Sequence, residues 1–169
     1  KAKTKKQARV VSWMGGRLTL SAQMSELLRE ELYSANLPFE QQTRELQALK
    51  DIFARQRVES IVPTDDQFLI ETFKSREGYH HIFYPFEGRF VHEALGSLLA
   101  YRISLLSPIT FSIAFNDYGF EILSDQQIDM QQVLDNDLST SAYLFEDLQK
   151  SLNSTEMARR KFRDIAVIS

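Results

Sequence analysis

Glu87, Arg89, His92 and Glu93 crowd the start of a strongly apolar run. A carboxylate, a guanidinium and an imidazole within two helical turns can support proton transfer. They can equally form a helix cap with an ion pair, because Glu87 falls near the positive end of the helix. The residue types favour structure or anion binding over catalysis, and Arg89 with the free N–H groups of the first turn makes a phosphate site. His92-Glu93 opens like the zinc-binding pattern H-E-x-x-H, but Gly96 stands where the second histidine belongs. His80 and His81 are adjacent, and neighbours on a strand point to opposite faces. The chain holds no cysteine, no Walker loop and no G-x-G-x-x-G, and its serines, histidines and aspartates show no nucleophile elbow. No catalytic centre is recognisable, and no cofactor is expected in this chain.

The aromatic residues suggest other chemistry. Trp13, the only tryptophan, stands beside Gly15, Gly16 and Arg17. Such a ring is either a core plug, which composition favours, or a stacking platform with the arginine on a phosphate. Phe83, Tyr84 and Phe86 near Lys74, Arg76 and Arg89 repeat the mixture. Trp13, Arg17, Lys74, Arg76 and Arg89 are therefore the candidate nucleic-acid-binding residues.

The elements that must position these groups follow from turn signals and periodicity. Residues 1–8 read as a basic linker, and residues 9–169 as one domain. Arg9–Met14 and Arg17–Leu20 flank Gly15-Gly16 as a hairpin. Ser21 caps a helix reaching Ala35, with Met24, Leu27, Leu28 and Leu32 as its apolar stripe. A second helix is predicted from Glu40 to Glu59, burying Leu46, Leu49, Ile52, Phe53 and Ala54. Strands are predicted over 68–76 and 79–85, a helix over 89–106, and strands over 109–115 and 120–123. Helices follow at 130–134 and 139–152, the latter burying Leu144, Phe145 and Leu148, and a basic helix holds Arg159, Arg160, Lys161 and Arg163. Six strands in three hairpins between long helices make an α+β domain. Open strand edges are costly, so the sheet is expected to be a curled antiparallel sheet or partial β-barrel covered by several helices.

The 169 residues suffice for one well-cored domain. Lack of cysteine fits a reducing compartment, here the cytoplasm, and no apolar run reaches the roughly 20 residues of a membrane span. The net charge of −3 is uneven. Residues 1–17 carry Lys1, Lys3, Lys5, Lys6, Arg9 and Arg17 and no acid, whereas residues 125–147 carry Asp125, Asp129, Asp135, Asp137, Glu146 and Asp147 and no base. That pattern suits a chain touching phosphate on one side, and equally an ordinary solvated surface. The chain begins without methionine and reads as a piece of a longer one, truncated at Ser169.

Several strings occur together and in order: Val11–Arg17, Ser75–Gly78, Tyr84–Glu93, Leu98–Arg102, Phe115–Glu121, Ser151–Asn153 and Ala158–Arg163. Over residues 9–166 they resemble the DEAD/H-associated region of Lhr-like superfamily 2 helicases, with the bacterial ligase-associated DEXH-box branch as the nearest likeness. The resemblance implies a β-barrel-like module of an ATP-driven 3′–5′ DNA helicase, contacting the tracked single-stranded DNA. ATP, magnesium and the motor chemistry would belong to RecA-like domains outside this chain, which would pack with a winged helix of the same polypeptide. Trp13 in Trp13-Met14-Gly15 matches the family tryptophan that stacks on a base, although Gly16-Arg17 follows where many relatives place an acid. The resemblance also implies roles in DNA repair with a DNA ligase or nuclease. A protein–protein docking module using the acidic stretch, and an independent hydrolase built on Glu87, Arg89 and His92, are the competing readings.

Overall fold

The computed structural model describes residues 19–106, 108–135 and 140–154. Two hairpins build its sheet. β1 (Ile70–Lys74) turns through Ser75–Gly78 into β2 (Tyr79–Phe83), and β3 (Phe111–Phe115) turns through Asn116–Gly119 into β4 (Phe120–Ser124). β2 also pairs antiparallel with β4, giving the order β1-β2-β4-β3. The α+β class is as the sequence predicts, and the curled sheet is not closed into a barrel among the described residues. The third hairpin, Arg9–Leu20, falls almost wholly outside the described residues, as do Trp13, Arg17 and the basic helix of Arg159–Arg163.

Alternation sets the two faces of the sheet. Phe83, Phe120 and the fully buried Ile122 turn to one side, where α4 (Arg89–Leu106) lies across them and adds Ala100 and Ile103. Ile70, Phe111, Ile113 and Phe115 complete this core from the edge strands, and Ile128 and Val133 close it beside α5 (Met130–Asp135). Burying a side chain such as Ile122 contributes about 1.5–3 kcal/mol. Gly96 lets α4 approach the strands: a Cβ there would stand 2.9 Å from Ile113 Cγ2. The opposite face carries Phe73, His80 and Glu121.

A helical layer precedes the sheet. In α1 (Ala22–Ser34), the Ser21 hydroxyl accepts from the Met24 N–H at 3.3 Å, as the capping reading expects. The predicted helix over 40–59 is broken. After a 3-10 turn at Phe39–Gln41, the chain is extended at Gln42, and Thr43 caps α2 (Arg44–Ala48). Leu49 leaves helical geometry before α3 (Lys50–Glu59) begins. Ala35, Leu46 and Val62 form a small second core with Phe53 against it. Leu49, Ile52 and Ala54 are exposed instead of buried, and Met24 and Leu27 of α1 are exposed too, because these short helices converge only on Ala35, Leu46 and Val62.

The acidic end is fastened by one buried cation. Arg102 donates from Nε to Asp147 Oδ2 at 3.0 Å, from Nη1 to the Thr140 carbonyl at 2.8 Å and from Nη2 to the Ala142 carbonyl at 2.9 Å. This draws α6 (Leu144–Ser154) onto α4 with Ser151 buried and Leu148 half-buried, and leaves Leu144 and Phe145 outward, the reverse of the expected stripe. Among the described residues no helix is long and apolar enough to cross a membrane.

His81 is buried on the core side of β2 and neither ring nitrogen has a hydrogen-bond partner among the described residues. Burial, then the neighbouring His80, pushes its pKa below the ordinary 6.5. The unfolded chain therefore takes up a proton that the folded chain refuses. The stability this confers is full above about pH 6.5 and is lost as pH falls toward the lowered folded value. His81→Leu should raise the unfolding free energy by about 1 kcal/mol at pH 7, since it removes unsatisfied polar atoms. It should also flatten the fall in urea midpoint below pH 6.5, and an unchanged pH profile would refute this account.

Candidate nucleic-acid interface

The junction between β2 and α4 brings together two of the strings that carry the family resemblance. The chain leaves β2 through Phe86, at φ 54°, and Gly88, at φ 86°. Glycine is required at 88 by that backbone and by space, since a Cβ would lie 3.0 Å from the Leu20 carbonyl oxygen. The His92 imidazole, fully buried, locks the turn. Its Nε2 accepts from the Glu87 N–H at 3.0 Å, so its Nδ1–H donates to the Asn116 carbonyl at 2.6 Å. One neutral ring thus holds the Tyr84–Glu93 string against the Phe115–Glu121 string. The Phe86 N–H adds a bond to the Tyr118 carbonyl at 3.2 Å. Within the β3–β4 turn, Asn116 Oδ1 accepts from the N–H groups of Tyr118 at 2.8 Å and Gly119 at 3.0 Å.

The charges beside His92 are paired. Glu87 meets Arg29 of α1, whose guanidinium also donates to the Phe86 carbonyl at 3.4 Å. Asp117 Oδ1 accepts from the Arg89 backbone N–H and from Nε, each at 3.3 Å, and Oδ2 accepts from Nη2 at 2.9 Å. Asp117 therefore occupies the position at the start of α4 where the sequence suggests a phosphate. Hydrogen bonding to Arg89 lowers its carboxyl to about 2 and raises the arginine. The stabilisation this pair gives is present above the ordinary carboxyl value and fades as pH falls toward about 2.

The β1–β2 hairpin displays the other candidates. Lys74 Nζ donates to the Tyr79 hydroxyl at 3.1 Å and sits 4.7 Å from that ring's centroid. Arg76 lies exposed in the tip with no ion pair among the described residues. Behind the tip is a cluster whose grouping is not evident from the sequence. His80 is hydrogen-bonded through Nδ1 to Glu121 and through Nε2 to Ser75 Oγ, the latter at 2.6 Å. Ser75, His80 and Glu121 follow the order of a nucleophile–base–acid relay. Ser75 Oγ also accepts the Glu77 N–H at 3.0 Å in a turn, which ties the relay into the hairpin. Turn chemistry in Ser75–Gly78 is visible in the sequence, but the pairing of β2 with β4 that delivers Glu121 is not. Among the described residues, no group of three or more His, Asp or Glu is placed to hold a metal ion.

His92→Leu leaves the Glu87 N–H and the Asn116 carbonyl without their partner. The expected loss is about 2–4 kcal/mol of unfolding free energy, read by urea titration followed by circular dichroism. A loss below about 0.5 kcal/mol would show that the ring is not the clamp.

The DEAD/H associated family model matches residues 62–169. The ATP-dependent helicase Lhr-Core of Methanocaldococcus jannaschii is 25% identical over 165 residues, covering 93% of this chain and 20% of that protein. The namesake from Sulfolobus acidocaldarius is 34% identical over 109 residues, covering 63% of this chain and 12% of that protein. Among solved structures, Mycobacterium smegmatis helicase Lhr bound to ssDNA and AMP-PNP shares the fold at a TM-score of 0.58 and 19% identity, over 96% of this chain and 22% of that one. The chain thus spans about a fifth of the length of the M. jannaschii and M. smegmatis proteins. With its His92 clamp built from the strings that first suggested the resemblance, the chain belongs to the DEAD/H associated family and corresponds to a region of Lhr-like helicases.

Proposed function

We propose that this chain is the accessory strand-binding domain of an ATP-dependent 3′–5′ DNA helicase, with the ATP site and motor supplied by other domains of the same polypeptide. The observation that carries this reading is the match of nearly the whole fold to part of an Lhr helicase bound to ssDNA. The geometry supports it physically. A motor that steps along DNA needs a hold that ignores sequence, and stacked aromatics with salt-dependent cations provide one. Arg76 offers a guanidinium with no ion pair among the described residues at a hairpin tip and Lys74 a second cation on the same hairpin, while the sequence Trp13-Met14-Gly15 adds a stacking ring by its resemblance to the family motif. Arg89, already engaged by Asp117, orders the neighbouring turn and contributes less free charge.

One observation favours a second reading, docking to a protein of a DNA repair assembly such as a ligase or nuclease. Tyr143 and Phe145 stand 75% and 80% exposed within the acidic stretch. Exposed aromatic anchors next to the acid Glu146 suit a basic, apolar partner surface.

In the full-length protein, Trp13→Ala should weaken binding to an oligo(dT) strand by about 1–3 kcal/mol. Arg76→Gln should lower the slope of log affinity against log salt by about 0.7, the share of one phosphate contact on a single strand. Fluorescence anisotropy across a salt series measures both. Unchanged affinity and slope in the two variants would remove the strand-binding reading in favour of docking.

A further inference from the structure

The face of the sheet turned away from α4 carries an aromatic surface that the foregoing does not use. Phe73 on β1 stands 50% exposed, although its ring stacks on His80 with centroids 4.5 Å apart and planes 7° from parallel. Since His80 covers one side of the ring, the exposure belongs largely to the other side. The ring beneath is fixed: His80 is buried and hydrogen-bonded at both nitrogens, to Ser75 and to Glu121. An exposed phenylalanine on a mobile neighbour would lose entropy on accepting a ligand, whereas this one is backed by a plate already in place.

We propose that the outer face of Phe73 is a stacking platform for an unpaired nucleobase, with Arg76 taking the adjoining phosphate. The assignment rests on the strand-binding reading and gives it a second contact, 60 residues on from Trp13 in the sequence. Charge decides how the strand lies. Glu71 and Glu121 share the face of Phe73, Glu71 accepting from the Tyr84 hydroxyl at 3.0 Å and Glu121 bound to His80. Two carboxylates there oppose a phosphate and leave a neutral base unopposed. The sugar–phosphate backbone must then run past the hairpin tip, where Arg76 is exposed without an ion pair among the described residues and Glu77 is its acidic neighbour. Arg76 stands three positions beyond Phe73, the last two in the hairpin turn, so their Cα atoms are no more than roughly 11 Å apart, within reach of one nucleotide. Stacking on a flat ring accepts any base, as a translocating strand requires. Lys74 points to the opposite face and remains with Tyr79.

The test uses the full-length protein with a fluorescein-labelled oligo(dT) strand, and a strand carrying 5-iododeoxyuridine for photocrosslinking. Phe73→Ala and Phe73→Leu should each weaken binding about tenfold, within the range of one stacked base. Phe73→Trp should bind as tightly as the parent or tighter, and the crosslinked peptide should carry its adduct on Phe73. Melting curves of the variants should match the parent, because the ring is half in solvent. If Phe73→Leu retains full affinity while Phe73→Ala loses it, the contact is merely apolar and stacking is overturned. If both retain it and no adduct forms on Phe73 while Trp13→Ala still weakens binding, the platform is wrong and the strand-binding reading stands. If neither Trp13→Ala nor the Phe73 variants change affinity, both fail together.

Discussion

The constraint on which this structure depends is the satisfaction of backbone groups where the chain leaves a strand and enters its longest helix. Between Phe83 and Arg89 the chain must reverse from the sheet onto its face within a few residues. It does so with a positive φ at Phe86 as well as Gly88, a conformation that costs free energy for a bulky residue. A buried N–H or carbonyl left over from so tight a path would add a further penalty. The His92 ring removes it by accepting at one nitrogen and donating at the other, which only a neutral imidazole can do. The histidine sits one turn into α4, so the helix cannot shift without breaking the junction, and the β3–β4 turn is drawn into the same lock.

The two other histidines show the same chemistry divided by the pleat. His80 and His81 are consecutive and face opposite sides of β2. His80 gains partners on both nitrogens from elements far apart in the chain, so its polarity links the two hairpins across the β2–β4 pairing. His81 receives none among the described residues and lies buried between Thr72 and Ile122 across the strands. One side chain organises a polar cluster, while the other weakens the fold it helps to fill.

How much of this could be read from the sequence depended on the range of the interaction. The strands and α4 are marked by local signals, namely alternation, the Glu77-Gly78 and Tyr118-Gly119 turns, and Pro108 after the helix, and they stand within about two residues of expectation. The opposite facing of His80 and His81 is equally local. The break near Thr43 was harder to see, because the apolar positions on either side keep helical spacing while Gln42 is extended. Burial departs from a stripe taken alone: Ile52 and Phe145 have the right spacing, yet stand 63% and 80% exposed. At the site, Lys74 and Arg76 are displayed on the hairpin, but Arg89 has an internal carboxylate where a ligand was expected. Asp117 lies 28 residues on, and neither helical nor strand periodicity connects the two.

The pairing of Arg89 with Asp117 also bears on how the charge of the chain is presented to its surroundings. Each internal pair, among them Arg29 with Glu87 and Arg102 with Asp147, removes one cation and one anion from the outward field together. The net charge of −3 is unaltered by such pairs, but the charges that remain outward are fewer and their placement matters more. At physiological salt an exposed charge is felt over about 8 Å. The acids of residues 125–147 therefore act only on charges within that distance of them. The outward field at the β1–β2 tip is set by the exposed Lys74, Arg76 and Glu77. The outward charge at that tip is thus mixed in sign, and its field falls off within a short distance of the surface.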